Sequence, residues 1–188
     1  MNDFGRDKLH LRMVKEKAFD VSGLQRQLAE HPEVWNTIRL RTEDPRSPHR
    51  EVSDIWVRYN PIENYHGDIR QFNDTHVSEW YPVAEVLTEA RRLAECVADG
   101  RDIGAVLITK VPAGKQVYPH VDIGWHAKVT KKYGLQIHGN EKQAFHFEGE
   151  ELVTRDGDLF FFNNAHSHWV TNDSSEDRVT LICCTKEN

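Results

Sequence analysis

GDLFFFNNAHSHWVTNDSSEDRVTLIC, residues 157–183, decides the fold. It divides into three short, β-branched and aromatic runs: 158–163, 167–171 and the start of 178–185. Asn, Asp and Ser clusters break it where chains turn. The runs are too short and too closely spaced for helices. The same texture extends upstream. Residues 105–111, 116–121, 133–138, 144–147 and 151–154 are further strand candidates, separated by Pro-Ala-Gly at 112–114, Gly-Asn at 139–140, Glu-Gly-Glu at 148–150 and Asp-Gly-Asp at 156–158. Eight short strands at such intervals predict a mainly β architecture, a double-stranded β-helix (jelly roll) of the cupin type, over residues 103–188.

Residues 1–102 read as an N-terminal supporting layer, with helices packed outside the barrel. Apolar residues from Val83 to Val97 recur every three or four positions in a helical stretch beginning at Ser78, and Gly100 follows as a stop. Residues 20–30 predict a short helix capped by Asp20 or Ser22, residues 53–59 a strand, and the proline-bearing 42–50 a surface loop. With 188 residues, the whole is expected to be one domain.

Composition narrows the function. Thirty acidic residues against 24 Lys and Arg give a net charge of -6, which speaks against a nucleic-acid partner. No apolar run is long enough for a membrane helix, and the first residues lack the apolar core of a secretory signal. Three cysteines, two of them adjacent, do not make a disulfide framework, so a cytoplasmic location is expected. No phosphate loop, Gly-x-Ser-x-Gly or Cys-x-x-Cys motif occurs.

Histidine is the abundant residue, with 11 in the chain. His120-Val-Asp122 on a strand would direct an imidazole and a carboxylate to one face. His166-Ser-His168 follows downstream, and by parity either histidine could join them. Two imidazoles and a carboxylate with open positions are the ligand set of a non-haem Fe(II) oxygenase. Arg178 lies ten residues after His168 and could offer a carboxylate a two-pronged site; alone, it would read as a surface arginine paired with Glu176 or Asp177.

The stretches TKVPAGKQVYPH (109–120) and GDLFFFNNAHSHWVTNDSSEDRVTLIC together resemble the aspartyl/asparaginyl β-hydroxylase family of Fe(II)/2-oxoglutarate dioxygenases, over roughly residues 103–185. The resemblance implies iron ligation by His120 and by His168 rather than His166, with Asp122 completing the triad. It implies that Arg178 holds the far carboxylate of 2-oxoglutarate, assisted by the hydroxyl of Thr109. It also places His138, on the strand YGLQIHG, at a second cosubstrate contact, with Gln136 standing where the family carries an arginine. Iron, 2-oxoglutarate and O2 are then the cofactor and cosubstrates. The implied reaction hydroxylates an aspartyl or asparaginyl residue, a free amino acid or a related small molecule, releasing succinate and CO2.

Trp125 and His126, in a loop expected over 123–132, are candidates for the substrate mouth, and no catalytic residue is expected beyond the metal ligands. A cupin-like metalloenzyme that does not use 2-oxoglutarate and a non-catalytic jelly-roll binding module are the alternatives. Against the first, the glutamate a cupin would carry soon after its His-x-His is missing until Glu176. His146, Glu148, Glu150, Glu151, Trp56, Arg58, Cys183 and Cys184 read as structural.

Overall fold

The computed structural model describes residues 10–73, 77–123 and 125–186; at Trp125 and His126 it describes the backbone alone. All eight core strands form: β4 (Ile103–Val111), β5 (Gln116–His120), β6 (Lys131–His138), β7 (Gln143–Phe147), β8 (Glu150–Val153), β9 (Leu159–Phe162), β10 (His168–Asn172) and β11 (Arg178–Thr185). They lie in two antiparallel sheets. The small sheet has the order β5-β10-β7-β8, and β9-β6-β11-β4 forms the centre of the large one, giving the expected double-stranded β-helix.

Alternation along β4 and β11 builds both faces of the large sheet. Val106, Ile108, Leu181 and Cys183 face outward into a core shared with two helices, α1 (Ser22–Glu30) and α4 (Thr88–Ala98). Leu24, Leu28, Ala90, Leu93, Ala94 and Val97 supply the helical side of that core. Burying a large aliphatic side chain contributes about 1.5–3 kcal/mol, so this helix-on-sheet layer is a main source of stability. The opposite residues of β11, namely Arg178, Thr180, Ile182 and Cys184, line the space inside the barrel. Adjacent Cys183 and Cys184 therefore sit on opposite sides of one sheet.

The N-terminal half does more than pack outside. β1 (Leu11–Lys15), absent from the sequence reading, pairs with β9; β2 (Ser53–Tyr59) pairs with β4 and carries the two-residue β3 (Glu79–Trp80). These strands extend the large sheet to seven among the described residues and cover main-chain groups that an open edge would expose. β1 is held further by Glu150, whose carboxylate accepts the backbone N–H groups of His10 and Leu11 at 3.1 Å each.

Three expectations need local correction. After a short helix, α2 (Ile69–Asn73), the helix expected from Ser78 begins only at Val83, beyond β3, and is broken into α3 (Val83–Val86) and α4, because Leu87 leaves helical geometry at φ -95°, ψ 63°. The loop expected over 123–132 contains a helix, α5 (Trp125–Val129), and β6 begins at Lys131. The cap of α1 falls on Val21, not on Asp20 or Ser22, and no side chain caps it; Asp20 instead accepts from the Ser22 amide at 3.0 Å.

Candidate metal centre

β5 and β10 are neighbours, and their register sets His168 opposite His120. Just past the end of β5, Asp122 is fixed by its backbone N–H, which donates to Asn164 O at 3.1 Å. One ligand atom from each of His120, Asp122 and His168 falls within 4.8 Å of the others. His120 Nε2 is 3.4 Å from Asp122 Oδ1, and His168 Nε2 is 4.0 Å from Oδ2. His166, the parity alternative, points away and stacks on His10 with ring centroids 3.8 Å apart.

Both imidazoles are presented in the form a metal needs. His120 Nδ1 donates to Tyr118 O at 2.8 Å and His168 Nδ1 to His166 O at 2.9 Å. A carbonyl can only accept, so each Nδ1 carries the proton and each Nε2 keeps its lone pair for the centre. Burial pushes the His168 imidazole down to about 4, which keeps it neutral. Burial works against the charge of Asp122, but the Lys132 ammonium beside it overcomes this and holds the carboxyl well below the usual range. Lys132, at the start of β6, forms a short ion pair with Asp122.

The cavity continues from these ligands between the sheets, walled by Val117, Phe145, Phe160, Phe162 and Val170. Arg178 stands in the same cavity, 3% exposed. Its Nη1 donates to Thr180 Oγ1 at 2.6 Å and its Nη2 to Thr154 Oγ1 at 3.5 Å. Its Nε has no acceptor, and no carboxylate pairs with it among the described residues. Burial alone lowers this guanidinium, to about 9. A buried cation without a counter-charge is costly unless a ligand provides one. The neutral threonines beside Arg178 leave that role to an anion entering the cavity.

Gln136 is buried behind the threonines instead of facing the cavity. Its Oε1 accepts from Thr154 Oγ1 at 2.7 Å and Thr180 Oγ1 at 3.2 Å. Both hydroxyl protons are thereby taken, and both oxygens are free to accept from Arg178. The face on the cavity expected of Gln136 is not there: it reaches the cavity only through Thr154 and Thr180.

His138 is not at the cavity. The pairing of β6 with β11 slips between Val179 and Thr180, and past the slip His138 lies in an outer cleft with Gln25 and Trp35. Thr109 does line the cavity, but its hydroxyl donates to Asp54 Oδ1 at 2.9 Å and accepts from Arg41 Nη2 at 3.0 Å. Its proton is already committed to Asp54, and the hydroxyls that touch Arg178 are those of Thr180 and Thr154, not that of Thr109.

A second, outer chamber adjoins the ligands, sharing Arg41, His49, His120, Asp122, Lys132 and Ile182 with the inner cavity. Its further walls include Trp56, Tyr59, Leu107, Ile123, Ala127 and Cys184. Arg41 is clamped by Asp54 through two bonds of 2.8 and 3.0 Å, and His49 meets the His120 ring at 4.6 Å. The side chains of Trp125 and His126 lie outside the described residues, although Ala127 of the same helix borders the chamber. Sequence reading missed Arg41, His49, Trp56, Tyr59 and Lys132. The first two lie in or beside a charged, Pro-rich loop, and Trp56 looked like one half of an ordinary alternating strand.

The turn between β10 and β11 is stapled by Asn172, 1% exposed. Its Nδ2 donates to Val111 O at 2.9 Å and Glu176 O at 2.8 Å, and its Oδ1 accepts from Ser174 Oγ at 2.7 Å.

The model of one family, aspartyl/asparaginyl beta-hydroxylase, matches residues 11–187. No curated protein matches the sequence. Among solved structures, a 2OG-Fe(II) oxygenase family oxidoreductase from Burkholderia pseudomallei aligns at TM-score 0.55 and 14% identity, over 96% of this chain and 85% of that one. A prolyl hydroxylase from Trichoplax adhaerens, in complex with a hypoxia inducible factor peptide fragment, aligns at 0.56 and 10%, over 96% and 84%. The viral collagen prolyl hydroxylase of Paramecium Bursaria Chlorella virus-1, in its 2OG complex, aligns at 0.53 and 9%, over 97% and 98%. At such identities these likenesses speak for the fold alone.

Proposed function

Since the chain belongs to the aspartyl/asparaginyl β-hydroxylase family, whose members are Fe(II)- and 2-oxoglutarate-dependent oxygenases, we propose that His120, Asp122 and His168 hold its iron and that Arg178 receives the far carboxylate of 2-oxoglutarate. The observation that carries this reading is the buried, unpaired guanidinium of Arg178 in the same cavity as three convergent ligand atoms. A cupin that does not use 2-oxoglutarate has no need of such a cation.

The donor set fits Fe(II): two neutral imidazoles and one carboxylate would hold it at the wall of an open cavity. When bound, iron and 2-oxoglutarate supply the oxidising chemistry that activates dioxygen, with succinate and CO2 as products. The chain's residues do the rest. Tyr118 O and His166 O fix the tautomers of the two histidines, and Asn164 O fixes the Asp122 backbone. Gln136, through Thr154 and Thr180, aims Arg178. Val117, Phe145, Phe160, Phe162 and Val170 exclude water, which strengthens every charge interaction inside the cavity.

The substrate enters from the outer chamber, on the other side of the ligands from Arg178, and is hydroxylated at a carbon held there. An aspartyl or asparaginyl side chain, a free amino acid or a related small molecule are the classes the family supports. The test is succinate formation from 2-oxoglutarate with Fe(II) present. His168→Ala should abolish both metal retention and succinate, while His166→Ala should retain both. Undiminished metal retention in His168→Ala would remove this ligand assignment.

A further inference from the structure

Resting on the reading above, the charge balance of the outer chamber points to its occupant. The chamber measures about 350 Å3, near the lower end for small-molecule sites. Its walls are largely apolar, with Trp56, Leu107, Ile123, Ile182 and Cys184 among them. Its charged members are Arg41, Asp122 and Lys132. Arg41 is matched from behind by Asp54. Lys132 is matched only by Asp122, and among the described wall residues no other carboxylate reaches it.

Loading the centre changes that balance. A divalent ion on Asp122 together with the Arg178 cation leaves two positive charges, which the two carboxylates of 2-oxoglutarate neutralise. Asp122 is then shared between the ion and Lys132, and the largely apolar chamber is left with one positive charge in excess beside Lys132. A neutral or cationic substrate would leave it so, at the cost of a desolvated, unmatched ion. A dianion would exceed the balance.

We propose that the substrate is a monocarboxylate on a compact apolar or aromatic body, its carboxylate received by Lys132 and its body lying against Trp56 and Ile182. An aspartyl residue within a peptide also brings one carboxylate, but flanked by amide groups. The described walls offer amides little: there is one amide side chain, Asn73, and its oxygen already accepts from the Tyr59 hydroxyl at 2.8 Å, which leaves only its N–H groups. Lys132 is thus assigned as a specificity-determining residue.

The experiment uses the full chain saturated with Co(II) under anaerobic conditions, with 2-oxoglutarate binding measured first by calorimetry. 3-Phenylpropionate and 4-methylpentanoate are then titrated against their primary amides and against an N-acetylated, C-amidated Gly-Asp-Gly peptide. Each acid should bind at least about tenfold more tightly than its amide, as expected for a hydrogen bond to a charged group. Lys132→Met should erase that gap while leaving the amide affinities unchanged. Ala127→Trp, at the chamber rim, should weaken acid and amide together and leave 2-oxoglutarate affinity unchanged. Equal binding of acid and amide by the parent, or tighter binding of the peptide than of either acid, overturns the proposal and leaves the dioxygenase reading standing. If the parent fails to bind 2-oxoglutarate, the dioxygenase reading falls, and this inference with it.

Discussion

Arg178 shows how one residue can be legible in the sequence and still need the fold for its meaning. Its type and ten-residue distance from His168 were plain, but its lack of any acidic neighbour was not: Glu176 and Asp177 sit beside it in sequence, yet neither pairs with it. Removing it should cost about 1.5–3 kcal/mol of 2-oxoglutarate binding, or about 10- to 150-fold. Calorimetry on Arg178→Leu should show that loss with Co(II) affinity nearly unchanged, and Arg178→Lys should recover only part of it. Unaltered 2-oxoglutarate affinity in the leucine variant would remove the anchor. His168 carries a second consequence. Its imidazole is lowered to about 4 when folded, against about 6.5 when free, so as pH falls through 6.5 the unfolded chain takes up a proton that the native state resists. Stability of the metal-free protein should therefore decline below pH 6.5 and the loss should be complete near pH 4. At pH 5 His168 alone should cost about 2 kcal/mol. Buried His49, also lowered, adds in the same direction. Urea midpoints at pH 7 and 5 check this, and His168→Gln should narrow the difference between them.

Elements were read well wherever alternation had no rival. The eight core strands follow from period-two patterning with turn residues between them, and β2 was found with its observed ends. What escaped was set by long-range contact. β1, with the sequence LRMVK, has little pattern of its own and becomes a strand through β9 and the Glu150 carboxylate. His138 was assigned by its place on β6, but a slip in pairing turns it outward, and such slips leave no mark in the sequence. β6 also carries a packing constraint at Gly134, where a Cβ would lie 2.2 Å from the Phe160 ring, a cavity wall. Gly134→Ala should destabilise the fold by about 1–3 kcal/mol through overpacking and weaken 2-oxoglutarate binding as Phe160 is displaced. Denaturant unfolding and calorimetry would show both; an unaltered unfolding midpoint would mean the ring yields freely.

For the whole molecule, the two cavities on either side of the metal ligands make binding and stability one linked property. A ligand that binds only the native state raises stability by RT ln(1 + [L]/Kd), about 2.7 kcal/mol at a hundredfold excess over Kd. Thermal midpoints of the parent should rise with Co(II) and again with 2-oxoglutarate. The second rise should shrink in Arg178→Leu, by half or more at the same 2-oxoglutarate concentration, while the first persists. A second rise of equal size in that variant would show 2-oxoglutarate binding elsewhere. The barrel that frames the inner cavity was legible from strand spacing. The outer chamber was not, because Trp56 and Tyr59 come from the N-terminal half and meet Ile182 and Cys184 only when β2 joins the sheet beside β4.

The Asn172 staple has a consequence for how this chain can change over time. It holds a short connection between the strand bearing His168 and the strand opening with Arg178, and side chains on a strand alternate strictly from face to face. Gaining or losing one residue there would exchange the two faces of β11: Arg178 would be carried toward the helices and Val179 into the cavity. Point substitutions in residues 173–177 can remove single bonds, such as that of Ser174 to Asn172, but leave the length of the connection and the facing of β11 unchanged. A change of length would erase the anion site in a single event, without touching any residue that forms it. In mutational libraries this turn should accept new letters and reject new lengths, whereas the Pro-Ala-Gly turn at 112–114 leads to β5, where His120 lies at the far end and a slip can be absorbed over several residues.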